Sequence, residues 1–202
     1  MKTKTGQRTL NLLVAVLLLL GTVLTGITPA KAQTEVMPAG DQSITATTVN
    51  LTSTGDTYLR QGYPKRNYGG TTTVSVSNGS NKQNSLYKWN LSTIPPGSTV
   101  TAASITFYVT DSASVDFSLF SMKRAWVEGT SNDTESTSSA NYNTYDGDNS
   151  WGTAGAMNTD SDRYNTDLWD ATGGSSGTFS TKGLVTIPLN ASGITTVQGW
   201  VN

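Results

Sequence analysis

Beyond residue 46 the apolar residues alternate over short runs that are cut off by turn-forming dipeptides, a pattern that admits strands and almost no helices. Thr73-Val74-Ser75-Val76-Ser77 alternates, as do Ile105, Phe107 and Val109 against Thr106, Tyr108 and Thr110. Further strand candidates are 49–51, 56–60, 85–91, 115–122 and 184–189, separated by Asn78-Gly79, Pro95-Pro96-Gly97, Asp146-Gly147 and Gly173-Gly174. Residues two apart on a strand share a face, and Gly, Pro and Asn supply the backbone angles that reverse it. Short one-faced strands without crossover helices pair antiparallel and must stack to bury their apolar sides. The expectation is therefore an all-β fold, a single-domain antiparallel β-sandwich of jelly-roll type. At the end, Ile194, Val197, Trp200 and Val201 fit a short helical turn as well as an irregular strand end.

The chain has no Cys and no His. Catalytic triads, thiol nucleophiles, Cys/His zinc sites, iron–sulfur clusters and disulfides are thereby excluded, and the fold must be held by its core alone. Paired carboxylates of a glycosidase would suffice in principle, but no motif singles out a pair, so a non-catalytic protein is expected.

Residues 1–32 read as a secretion signal standing outside the fold. Lys2, Lys4 and Arg8 precede the apolar run of Leu12–Leu20, and Ala30-Lys31-Ala32 has the small-x-small form of a cleavage site. A retained anchor is the competing reading, since 10–27 almost reaches bilayer length. Of 13 Lys and Arg, four (Lys2, Lys4, Arg8, Lys31) lie in this segment. The remaining nine face 14 Asp and Glu, a net of −5. A low-charge acidic chain is a poor ligand for nucleic acid, and after removal of the leader nothing is left to engage a membrane. Residues 33–46 form a polar lead and 47–202 one domain, within which 128–182 is a polar stretch whose scattered Trp and Tyr mark an ordered excursion over one sandwich face.

Asp56-Thr57-Tyr58-Leu59-Arg60, Asn67-Tyr68-Gly69, the run from Ser85 to Val100 with its Ile94-Pro95-Pro96-Gly97 turn, Trp126-Val127-Glu128-Gly129-Thr130, Asn149-Ser150-Trp151 and Val197–Asn202 follow one another in an order and spacing that resembles the DNRLRE-type domains classed as family-96 carbohydrate-binding modules. The resemblance implies an extracellular β-sandwich with acidic polysaccharide such as alginate among its ligands. It places the binding cations in the N-terminal stretch, here Arg60, Lys65 and Arg66, interleaved with Tyr58, Tyr63 and Tyr68, and extends the site to Tyr164. Guanidinium groups hold carboxylates by charge-assisted hydrogen bonds while a sugar ring lies on an aromatic face; a solvated turn is the alternative reading of the same residues. In the family an apolar strand follows the segment like Val197–Asn202, whereas this chain stops there. Truncation is one explanation. Self-association by strand donation is another, with Ser43–Leu51 and its alternating Thr45, Thr47, Val49 and Leu51 as donor, which would build an extracellular filament.

Four further features bear on the site. Lys88 stands where the family usually has Arg and is expected either to face solvent or to pair with a carboxylate. Trp89, Trp126 and Trp200 are expected in the core, while Trp151 and Trp169 stay open between packing and ligand contact. No cofactor is required; Asp146, Asp148, Asp160 and Asp162, spaced two apart beside Gly and Asn, resemble calcium loops, with hydrated turns as the alternative. Asn50, Asn78, Asn90, Asn132 and Asn190 are glycosylation sequons.

Overall fold

The computed structural model of the protein describes residues 46–112, 117–169 and 179–202, together with the backbone of 11–17. Its strands are β1 (Asn11–Leu17), β2 (Thr47–Arg60), β3 (Arg66–Asn67), β4 (Gln83–Trp89), β5 (Thr99–Val109), β6 (Thr134–Glu135) and β7 (Gly183–Pro188), followed by helix α1 (Ala191–Val201). Every pairing is antiparallel, in a five-stranded sheet of order β4-β2-β1-β5-β7 and a two-stranded ribbon β3-β6. The all-β antiparallel class is as expected. The second layer differs from a full sheet. It is built mostly of irregular segments between 117 and 169, cross-linked by backbone hydrogen bonds such as Tyr164 N to Ser121 O at 2.9 Å and Leu168 N to Leu119 O at 2.8 Å.

The fourteen-residue β2 changes partner halfway. Ser53–Arg60 pairs with β4 across a bulge near Gly55, and Thr47–Thr52 pairs with β1. The first half covers one core, of Leu51, Ile94, Val100, Ala103, Ile105, Leu189, Val197 and Val201. The second half covers another, in which Leu59 and Leu86 meet Trp126, Ala140, Trp151 and Ala156 from the excursion. The excursion is thus folded onto the sheet, as its aromatics suggested.

Several expectations change. Residues 73–77 form no strand. Their only ladder contact is the bridge of Ser77 to Gln83, and Ser75 O accepts from the Ser85 hydroxyl, so the alternation there serves an edge loop. The candidate at 115–122 is likewise irregular over its described part, 117–122, with one bridge, Met122 to Arg163. Of the donor candidate Ser43–Leu51, residues 43–45 lie outside the described residues, and Thr47–Leu51 is paired within the chain, with Leu51 buried in its own core. Residues 1–32 do not stand wholly outside the fold: the backbone of Asn11–Leu17 is the central strand of the sheet. An uncharged run containing Val14 and Val16 suits such a position. No helix among the described residues is long and apolar enough to cross a membrane.

The C-terminal turn is helical. Asn190 caps it, its Oδ1 accepting from Gly193 N at 2.9 Å, while its Nδ2 donates to Asp167 O and Trp169 O at 2.8 and 2.9 Å. This satisfies an orphan helix donor and staples the excursion to the sheet. The same engagement takes up the amide that the Asn190 sequon would glycosylate. Gln198 locks the other end, accepting from Val100 N at 2.8 Å and donating to Ser98 O at 2.9 Å. Val197 and Val201 point inward, and Trp200, offset around the helix, is 49% exposed rather than part of the core.

Candidate functional site

The end of β2 delivers Arg60 into a tight turn. Tyr63 N donates to Arg60 O and Arg66 N to Tyr63 O, at 3.2 and 3.0 Å, so two successive reversals with Pro64 between them carry the chain into β3. The turn is braced from three sides: Gln61 N reaches Lys82 O (2.9 Å), Ser136 N reaches Lys65 O (3.2 Å) and Asn143 N reaches Pro64 O (3.3 Å).

Beneath it lies Asn67, fully buried. Its amide donates to Glu128 O at 2.6 Å and Ala140 O at 2.8 Å, and its Oδ1 accepts from Gly69 N and Ser131 N, both at 3.2 Å. Using both donors and both lone pairs, one side chain joins the turn to the excursion. Gly129 completes the clamp; at φ +74° it adopts a left-handed conformation, and a Cβ there would press into Asn67 and Ser139.

The exposed side of the turn brings its charged and aromatic groups together. The guanidinium carbons of Arg60 and Arg66 lie 4.6 and 4.3 Å from the centroid of the Tyr63 ring, which is 41% exposed. Such cation–π packing holds both forks in place at small entropic cost. Arg66 Nη1 also contacts Asp133 Oδ1 at 3.1 Å. The Tyr68 hydroxyl and the Arg66 guanidinium hold the Asp133 carboxyl below its ordinary range. Tyr68 itself is buried, its ring stacked on Tyr58, and burial pushes its phenol up to about 12, so it stays neutral.

The structure therefore joins Arg60, Tyr63, Lys65 and Arg66 on one turn, with Lys65 exposed and Tyr68 as support beneath rather than a contact surface. Two participants lay outside sequence reasoning. Asp133 comes from 67 residues away, and Lys82 adjoins Gln61 across the start of β4. Glu135 stands opposite Arg66 in the β3-β6 ladder. Tyr164 is 52% exposed, but its ring pairs with Lys123, at 4.9 Å, and none of its described contacts reaches the turn.

The acidic residues do not converge. Asp162 is completely buried, and its carboxylate accepts from the backbone N–H groups of Gly152 (2.8 Å), Thr153 (3.0 Å) and Asn158 (3.1 Å), from the Ser161 hydroxyl (3.1 Å), and lies 3.4 Å from Arg124 Nε. A carboxylate so occupied has no lone pair to offer a cation, so Asp162 is a structural nucleus and not a calcium ligand. Asp146 Oδ1 accepts from Asp148 N and Asn149 N at 3.0 and 2.7 Å, shaping its own turn. Asp148 and Asp160 are exposed, and no cluster of three or more potential metal ligands occurs among the described residues. Trp151 packs in the second core and donates from Nε1 to Asn141 O at 2.9 Å, which resolves it as structural. Trp169 is half-buried, edge-on to Phe179. Lys88 lies over Trp126 at 4.7 Å.

The domain thus displays paired guanidinium groups over an exposed tyrosine at one end of an antiparallel β-sheet. Residues 47–167 match the family model for carbohydrate-binding module family 96, and the chain belongs to that family. It is a carbohydrate-binding module. The match spans β2 to β6 and the excursion up to Asp167, including the whole cationic turn. No curated protein and no solved structure matches the chain.

Proposed function

We propose that the chain is an exported, non-catalytic module that binds acidic polysaccharide, of the alginate kind, through the turn carrying Arg60, Tyr63, Lys65 and Arg66. The observation that carries this reading is the convergence of two guanidinium groups on one exposed tyrosine ring. A uronate presents a carboxylate and an apolar ring face side by side; the guanidinium forks meet the first and Tyr63 the second. Asp133, which Arg66 holds in the free protein, is the group a sugar carboxylate would displace. Export rests on the basic, apolar and Ala-x-Ala sequence of residues 1–32.

Retention in gels cast with alginate, pectin or a neutral glucan tests the proposal. Retardation by the two acidic polymers, abolished by Arg60→Ala with Arg66→Ala, is expected. Equal retardation by the neutral polymer, or none by any, would overturn it.

A further inference from the structure

The central strand of the sheet is also the one whose sequence reads as a removable leader. β1 runs antiparallel to both neighbours, with Leu12 opposite Leu51 and Ile105, and Val14 opposite Val49 and Ala103. β2 and β5 do not pair with each other; what separates them is a slot one strand wide. Among the described residues, Thr47–Thr52 has no ladder except with β1, because β4 takes over only at Ser53. Leu51, Val100, Ala103 and Ile105 on the two walls belong to the core beneath. Neither wall carries a charge: Thr47–Thr52 and Thr99–Thr106 contain only apolar, hydroxyl and amide side chains. Vacating the slot exposes two rows of backbone N–H and C=O groups and the roof of the larger core, a combination that strand addition repairs.

We propose that the slot between β2 and β5 is a strand-acceptor site that binds an uncharged apolar strand of about six residues, antiparallel to both walls. Residues 11–17 occupy it in the intact chain, and a peptide of the same chemistry takes their place in trans when they are withdrawn. Selectivity follows from register. Positions facing the core row of Val49, Leu51, Ala103 and Ile105 must be apolar, and no position can bring a charge without losing its water. Proline is excluded, since both edges of the guest donate to a wall. If export removes the leader, the exported form is an acceptor awaiting such a strand; that consequence rests on the leader reading, whereas the acceptor property does not.

The test uses the full chain carrying Val14→Pro, which cannot complete the β1 ladder, and a fluorescein-labelled synthetic peptide of residues 11–17 flanked by lysines for solubility. Fluorescence anisotropy is expected to rise saturably with the Val14→Pro chain and at least tenfold less with the unmodified chain, whose slot is filled. The peptide that itself carries Val14→Pro is expected not to bind. No binding to the Val14→Pro chain, or equal binding of both peptides, would overturn the proposal. Should that variant fail to fold, a second one decides. The chain has no cysteine, so Leu13→Cys with Asn50→Cys, directly opposite in the ladder, introduces the sole pair. A disulfide on mild oxidation, within one chain or joining two copies, supports the slot; its absence in the folded variant contradicts it. Alginate retention of the same variants reports on the cationic turn separately.

Discussion

Tyr58 and Tyr68 stack with ring centroids 4.1 Å apart and planes 25° from parallel, closing the base of the turn whose tip carries the cations. Tyr58 belongs to β2, and Tyr68 follows β3, so the stack pins the two ends of the loop and presets the spacing of Arg60, Tyr63 and Arg66. Tyr68→Ala removes a fully buried ring and is expected to cost about 3–5 kcal/mol of stability in chemical denaturation, and to weaken acidic-glycan binding without touching a cation. Tyr68→Phe keeps the buried ring and loses the hydroxyl that helps hold Asp133 ionised, and is expected to cost at most about 1 kcal/mol while the Asp133 carboxyl moves back toward its ordinary range.

Asp133 competes with any incoming carboxylate for Arg66. Asp133→Asn is therefore expected to strengthen alginate binding several-fold, whereas Arg66→Ala weakens it by about 10- to 100-fold, the range for losing a charge-assisted hydrogen bond of ~1.5–3 kcal/mol. Both effects shrink as salt is raised, because the groups are solvent-exposed. Isothermal titration at two ionic strengths measures this; an unchanged affinity for Asp133→Asn would remove Arg66 from the site.

Asp162 organises the excursion through N–H donors instead of an ion. Burial alone would raise its pKa, but the backbone donors of Gly152, Thr153 and Asn158 and the Ser161 hydroxyl prevail and hold it below the ordinary value of 3.8. The sign follows: a depressed folded-state pKa gives stability that is present above the ordinary carboxylate range and is lost as pH falls through the folded value. Asp162→Asn, which aims an amide donor at donors, is expected to cost about 1–3 kcal/mol at pH 7 and to flatten the acid side of the stability curve. Calcium is expected to leave the melting temperature of the unmodified chain unchanged.

Tyr68 makes the opposite prediction at alkaline pH. Its phenol is pushed up to about 12 from 10.0, so the unfolded chain ionises first and stability falls as pH rises from about 10 through about 12. Tyr68→Phe is expected to reduce this alkaline loss in denaturation experiments at pH 9 and 11, leaving the part due to Tyr58, whose phenol burial also raises.

Much of this was legible from residue order. Alternation over Ile105–Val109 and 184–189, both strands with one side on the core, marks β5 and β7. The cluster of Arg60, Lys65 and Arg66 among tyrosines marks the candidate site, because its members lie within seven residues and one turn gathers them. Alternation misled at 73–77, where the same pattern lies along a sheet edge and bridges only at Ser77. Asp133 and Lys82 were out of reach, since only the β3-β6 ribbon and the Gln61–Lys82 contact bring them near. Asp162 looked like a metal ligand because short acidic spacings are shared by cation loops and by carboxylates that collect backbone N–H groups; burial alone separates the two.

The most direct test of the central claim is equilibrium binding of a defined oligoalginate to the full chain and to its Arg60→Ala, Arg66→Ala double variant at low salt. Saturable binding that the double variant loses by at least tenfold, with the circular-dichroism spectrum unchanged, is the predicted result. Equal affinity of the two proteins for the oligosaccharide would contradict the assignment of the cationic turn.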